Sequence, residues 1–484
     1  MIRSRLGNSA IIWLAGIFTV AFGLFFFKIL MESMDKYTLP LVVPIGVVVL
    51  LIWIFTAGRY WWFAYPALTF WGGYIYLGFK IYPDEVGFLV AIAGFLVYAV
   101  KNREDLHQNR PPLTWALSLL IAYIITHMSV SFYLSNLDWL TGGGSIIRVY
   151  LSGLIALLFC WLFYKYGSAR DVKTVIQIIF AILALRILLS LLYFSTPDLF
   201  DYEEGDLFIL YSSADLRFSA FYEMILGIGI YYLTDKRLVK NAILLFIFLL
   251  LIIILFGEGR VSVACAVSVL VIWMLLAKKR RLLVYLSPLF LILIIQVFAQ
   301  AHLLSSLPLE VQRSLSFLPG LESHLIHATE ASNQWHTDLF WQGYEKWTTT
   351  WSSFWVGNTI DSRNVYSFYK LNYVMQLEIA AGTARYESTL WTVLATLGVL
   401  GFSLYVSVFV FLCWDIVATI LKDGIISGRH GIYAMALISL TPMILFGWIR
   451  GGFPVTEILF CVMAKVVLDD HKIIKNRLPH ASPE

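Results

Sequence analysis

Four arginines stand at the ends of apolar segments: Arg148, Arg217, Arg260 and Arg450. Glycines flank two of them, Gly257 and Gly259 beside Arg260, and Gly447, Gly451 and Gly452 around Arg450. A guanidinium grips phosphate oxygens through paired N–H bonds, and glycine lets backbone N–H groups approach the same oxygens. Four such arginines together point to an anion site; snorkelling, or pairing with a neighbouring acid, is the structural alternative for any one of them. Other ionisable groups lie inside apolar segments: His127, Arg186, Glu223 and Glu457. At about 1.5 Å per helical residue, Arg186 is roughly 12 Å and Glu223 roughly 9 Å from the nearer segment end. Charges at such depth face a bundle interior or a wet cavity. The similar depths of Arg186 and Glu223, on consecutive segments, also allow an ion pair between them. A third set, His302, His324, His327 and His336, falls in a long polar interval from about His302 to Ser388.

What must position these groups is a chain that is 60 % hydrophobic and only 14 % charged, with a mean hydropathy of +0.78. Such a composition excludes an ordinary soluble protein. Windows of roughly 20 apolar residues recur, so the expected fold is all-α, a polytopic transmembrane helix bundle. Hydropathy places spans near 10–30, 39–57, 60–79, 86–100, 113–133, 146–166, 173–194, 217–234, 241–256, 260–277, 282–301, 389–413, 431–449 and 453–468, about fourteen in all. The expected organisation is a bundle over 1–301, a large loop over 302–388, further spans over 389–468 and a tail over 469–484. The run from Met1 to Leu30 follows Arg3 and Arg5 without a small-residue cleavage site and reads as a first span. Cys160, Cys265, Cys413 and Cys461 lie in apolar segments without metal or disulfide spacing. The net charge of +4 reflects topology and gives no reason to expect nucleic acid.

Lys and Arg cluster in alternate loops: Arg3/Arg5, Arg59, Lys101/Arg103/Arg110, Lys165/Arg170/Lys173, Lys236/Arg237/Lys240, Lys278–Arg281, Lys422/Arg429 and Lys472–Arg477. The positive-inside rule then makes both termini cytoplasmic and the 302–388 loop extracytoplasmic. The four arginines fall on the outer face, where positive charge is disfavoured, and the buried charges crowd into the outer half. A cavity open only outward is expected. In the loop, Gln300–Pro319 reads as an interfacial helix and Leu321–Thr350 as a helix carrying Trp335, Phe340, Trp341, Tyr344, Trp347 and Trp351. Those rings suit packing on the membrane interface or stacking on sugars. Val356-Gly-Asn-Thr reads as a turn, and Tyr366–Ile379 as an amphipathic helix.

From about Leu216 to Phe402 the chain resembles the O-antigen ligase and O-antigen (Wzy-type) polymerase superfamily of integral membrane glycosyltransferases. The residues that carry this are Leu216-Arg217-Phe218, Phe256-Gly-Glu-Gly-Arg260-Val-Ser262, Gln312-to-Gly320, Ala331-Ser-Asn-Gln-Trp-His336, Trp355-Val-Gly-Asn358, and Glu387-Ser-Thr-Leu390 with Leu397-Gly-Val-Leu-Gly401. Where the family carries His, this chain has Glu387; where the family's loop carries Trp-Arg, it has Trp335-His336.

The resemblance implies transfer of a glycan from an undecaprenyl-diphosphate carrier to a sugar hydroxyl, with no metal or other cofactor, in the bacterial cytoplasmic (inner) membrane. The acceptor would be a glycan or a lipid, and membrane lipids and polysaccharide-assembly proteins would be the other partners. Arg217 and Arg260 would meet the departing diphosphate, with Arg450, Arg148 and Arg186 in the same electropositive site. Glu387, or His336 folded over from the loop, would take the acceptor's proton. Glu387 has a plainer reading too, as an acid complementing the dipole of the span it precedes. The rival classes are a lipid-linked oligosaccharide flippase, which would show internal repeats, interrupted spans and charges at or below the midplane, and a non-catalytic partner in polysaccharide export.

Overall fold

The computed structural model describes residues 58–71, 75–76, 80–81, 83–101, 111–135, 144–195, 213–256, 260–277, 312, 323–358, 388–425, 428–446 and 455–477. The expected spans at 10–30, 39–57 and 282–301, and the helices at Gln300–Pro319 and Tyr366–Ile379, lie outside these residues, Gln312 apart. Helix accounts for nearly everything described. The exception is a two-residue antiparallel ladder, β1 (Ile75–Tyr76) with β2 (Lys80–Ile81), pairing Ile75 with Ile81 and Tyr76 with Lys80. Before it, a 3-10 turn at Gly58–Phe63 leads into α1 (Ala64–Trp71). The expected span at 60–79 is therefore corrected: the helix described covers Ala64–Trp71, and Ile75 already belongs to the β1–β2 ladder.

The remaining elements follow the apolar runs closely. They are α2 (Pro83–Lys101), α3 (Pro111–Ser135), α4 (Gly144–Tyr166), α5 (Ala169–Ser195), α6 (Ser213–Leu233), α7 (Arg237–Phe256), α8 (Arg260–Leu276), α9 (Ser323–Thr348), α10 (Trp351–Val356), α11 (Thr389–Asp423), α12 (Gly428–Ser439), α13 (Thr441–Phe446) and α14 (Val455–Arg477). The expected span 431–449 is split between α12 and α13, because Pro442 has no N–H to continue the ladder and fits only a first helical turn.

Among the described residues, four helices are long and apolar enough to cross a membrane: α2, α3, α7 and α11. α7 makes the pattern plain. Ile243, Ile247, Leu250 and Ile254 form its buried stripe, while Leu245, Phe248 and Leu249 on the other faces are apolar and exposed.

Two units are distinguished by their internal contacts, residues 1–65 with 89–105, and residues 66–88 with 106–484. In the first, Trp61 meets Phe95 edge-on at 5.1 Å. In the second, α14 is the central helix, packing on α4, α5, α11 and α12, and every residue from Glu457 to Leu468 is buried. α6 lies against α5, α7 and α12, and α3 against α4 and α11.

α11 has 35 residues, about 52 Å at 1.5 Å per residue, well beyond the roughly 30 Å hydrocarbon core. It is broken at Gly398, whose φ of 64° and ψ of −172° belong to no helix. The expected span 389–413 is thus a nine-residue stub, a break, and a longer segment running on to Asp423.

Candidate functional site

The break in α11 is where the loop meets the bundle. α10 opens on a capping box: the Thr350 hydroxyl accepts from Ser353 N at 3.0 Å, and Thr350 N donates to Ser353 Oγ at 2.9 Å. It closes at Gly357, with φ 91°. A Cβ on Gly357 would strike the carbonyl of Thr396, and one on Gly398 would strike the carbonyl of Trp355. Each glycine therefore admits the other's backbone, and both hold conformations that L side chains resist.

Breaking a helix strands carbonyls. Asn358 and Tyr123 take them up. Asn358 donates from its backbone N to Ala395 O at 2.9 Å, and its Nδ2 donates to Lys346 O at 2.7 Å and to Ala395 O at 3.2 Å. Tyr123, on α3, directs its hydroxyl at Leu397 O (2.8 Å) and Val356 O (3.1 Å). His127, one turn further along α3, is buried and hydrogen-bonds the Val356 backbone. The Trp355–Asn358 and Leu397–Gly401 segments, some forty residues apart in sequence, form one joint.

Aromatic rings fix α9 and α10 beside this joint. Trp391, on the stub of α11, is buried and meets Phe340 (4.8 Å), Trp347 (6.0 Å) and Tyr344 (6.1 Å). Trp347 stacks on Phe354 at 4.9 Å, and Phe354 on Trp351 at 6.0 Å, with interplanar angles of 18° and 12°. The Trp347 indole N–H donates to Phe354 O at 3.1 Å, locking the first pair.

A second polar group lies among α5, α6 and α14. Tyr222 donates to Glu457 Oε1 at 2.7 Å. The Phe460 ring, stacked on Phe70 at 6.1 Å, meets Tyr222 edge-on. Arg186 Nη1 donates to Phe70 O at 3.4 Å. Neither oxygen of fully buried Glu223 has a hydrogen-bond partner among the described residues, and no Arg186–Glu223 pair forms. α6 explains this: Glu223 shares a face with Gly227, which abuts Ile247 on the aliphatic stripe of α7.

The buried charges are not confined to the half that the Lys/Arg pattern assigns outside. Lys465, buried on α14, bonds Asp415 Oδ2 at 2.6 Å, near the ends of α11 and α14 assigned to the cytoplasm.

Of the groups singled out in the sequence, His336 is exposed on α9, and Arg186 is half-buried on α5. Arg148, Arg217 and Arg260 stand near the starts of α4, α6 and α8, and their side chains lie outside the described residues, as do Glu387 and Arg450 altogether. Sequence reasoning did not single out Tyr123 or Tyr222; a phenol inside an apolar run, needing a partner for its hydroxyl, was the available signal. It read Asn358 as a turn residue only. Among the described residues no group of three or more His, Cys, Asp or Glu could hold a metal ion. Comparison of the chain with family models, curated proteins and solved structures found no match.

Proposed function

We propose that the chain is a multi-pass glycosyltransferase of the bacterial cytoplasmic membrane that transfers or polymerises glycan from a polyprenyl-diphosphate carrier at the outer face. The observation that carries the reading is the joint: Trp355–Asn358 and Leu397–Gly401, two of the segments on which the resemblance rests, dock on each other through paired glycines and Asn358. The joint seats a ring-lined loop on the end of a helix able to span the membrane. Arg217 and Arg260 neutralise the diphosphate as the glycosidic bond breaks, with Arg148, Arg186 and Arg450 adding positive potential. Glu387, with His336 in reserve, takes the proton of the acceptor hydroxyl, and neither metal nor nucleotide is needed. In reconstituted protein given carrier-linked glycan, Arg217→Lys and Arg260→Lys each lower transfer on the order of 10-fold or more, because the bidentate fork is lost. Glu387→Gln leaves donor bound and unreacted. Undiminished transfer in all three variants at equal protein level overturns the assignment.

Two observations favour a second reading, a flippase for the same lipid-linked glycan: α11 is interrupted, as the helices at transporter binding sites are, and buried Lys465 lies in the half assigned to the cytoplasm. Proteoliposomes separate the two. Movement of labelled carrier-linked glycan across the bilayer, without any new glycosidic bond, selects the flippase.

A further inference from the structure

The three near-parallel rings Trp347, Phe354 and Trp351 are anchored at one end and open at the other. At the anchored end Trp347 abuts buried Trp391 and donates to Phe354 O. Ser353, between the stacked residues, donates to Trp347 O at 3.0 Å, and the Thr350 capping box sets the start of α10. At the open end Trp351 is 77 % exposed, with Phe354 on one face and Trp355 at its edge. No ring of the described residues stacks on its other face. Ring contacts with Phe354 and Trp355 restrict this indole, and its other face stays flat, apolar and open to a ligand.

We infer that the open face of Trp351 is a docking platform for a pyranose ring of the glycan, lying on the loop beside the α10–α11 joint. The inference rests on the proposed handling of glycan and adds to it a subsite and the residue that forms it. The surroundings choose between a sugar and a lipid surface. Interfacial aromatic belts hold Trp and Tyr at the headgroups, and basic side chains draw a segment to anionic lipid. Along α9, however, Lys346 is the single Lys or Arg against Glu330, Asp338 and Glu345. Close to Trp351 in sequence come exposed Glu345, Thr349 and Ser352, whose oxygens suit sugar hydroxyls and disfavour anionic headgroups. An open aromatic face on a segment of hydroxyls and carboxylates with few cations matches a pyranose, whose C–H groups lie on the ring while its hydroxyls turn to the rim.

The test uses the full chain in lipid nanodiscs. The probe is the set of oligosaccharides released by mild acid from the source cell's surface polysaccharide, with affinity read by calorimetry. Trp351→Ala weakens binding on the order of 10-fold, the value of one stacked ring. Trp351→Tyr recovers most of it, and Trp414→Ala, which removes a comparably exposed indole from α11, changes nothing. Because Trp351 is exposed, its replacement leaves the thermal unfolding midpoint unaltered. Absence of binding by the native chain, or equal affinity in Trp351→Ala, overturns the platform. So does a component of fluorescence quenching by brominated phospholipid that is present in the native chain and in Trp414→Ala and is lost in Trp351→Ala, which assigns the ring to lipid. Reduced affinity in Trp351→Ala without any transfer by the native chain ends the transferase reading and leaves the platform standing. Transfer by the native chain with unchanged affinity in Trp351→Ala does the reverse.

Discussion

At the scale of single residues, two glycines and an asparagine hold the loop to the bundle. Gly398 has both a left-handed φ and no room for a Cβ, so Gly398→Ala meets backbone strain and a collision with the Trp355 carbonyl together. Strain of this kind is worth about 1–3 kcal/mol before the collision is counted. Asn358→Ala removes two side-chain hydrogen bonds and leaves Lys346 O without one of its donors, about 1–3 kcal/mol more. Both variants are expected to lower the thermal unfolding midpoint of the detergent-solubilised protein, Gly398→Ala the more. Since the two residues serve one joint, the double variant should lose less than the sum. A strictly additive loss, or a midpoint unchanged in Gly398→Ala, would show that the joint contributes little to stability. Gly357 and Asn358 were legible as a turn, because that dipeptide punctuates chains. Their partner was not. Gly398 sits in an apolar run that reads as unbroken helix, and only a contact some forty residues away in sequence makes it a break.

At the scale of elements, apolar runs fixed the helices well and their ends less well. α3, α4, α6 and α8 begin and end within a few residues of the spans expected for them, since twenty apolar residues leave the backbone little alternative. α11 runs ten residues past the expected end at 413, to Asp423, and takes Asp415 into the helix. There the Asp415 carboxylate meets Lys465 and Lys472, two cations of α14 that no local sequence pattern announces. The aromatic spacing of α9 announced a helix with rings on it, but not which ring was the anchor, because Trp391 belongs to another helix. Trp391→Ala empties the space that Phe340, Tyr344 and Trp347 enclose, a loss of about 3–5 kcal/mol for a buried ring of this size. The loss is local, so amide exchange in α9 and α10 should quicken while α4 and α14 stay protected. Faster exchange spread evenly over all these helices would mean that the loop is not a separate stability unit.

For the molecule as a whole, the candidate site needs one part of the chain to stay in register with another, and α14 is the helix placed to do this. One end of α14 carries Glu457, bonded by Tyr222 of α6; the other carries a charged knot. There Lys465 bonds Asp415 of α11 at 2.6 Å and approaches Asp469 at 3.5 Å, while Asp469 accepts from Tyr164 of α4 at 2.8 Å. Asp470 accepts from Ala169 N, at the start of α5, at 2.7 Å. None of this could be read from the sequence, which shows four charges near a span end and not which helices they join. Lys465 is buried, and removing it as Lys465→Met leaves two carboxylates facing each other with a single cation, Lys472, remaining on Asp415. Lys465 is buried but Asp415 is partly exposed, so solvent screens the pair and the cost of deleting Lys465 falls below the about 3–5 kcal/mol typical of a fully buried pair; exposed Lys472 offsets a further part. The double variant Lys465→Met, Asp415→Asn removes the stranded charge as well. It is therefore expected to unfold at a higher temperature than Lys465→Met alone, though each change by itself lowers the midpoint. If Lys465→Met is as stable as the native protein, or if adding Asp415→Asn lowers the midpoint further, the knot is a surface ion pair and α14 is held by its apolar packing.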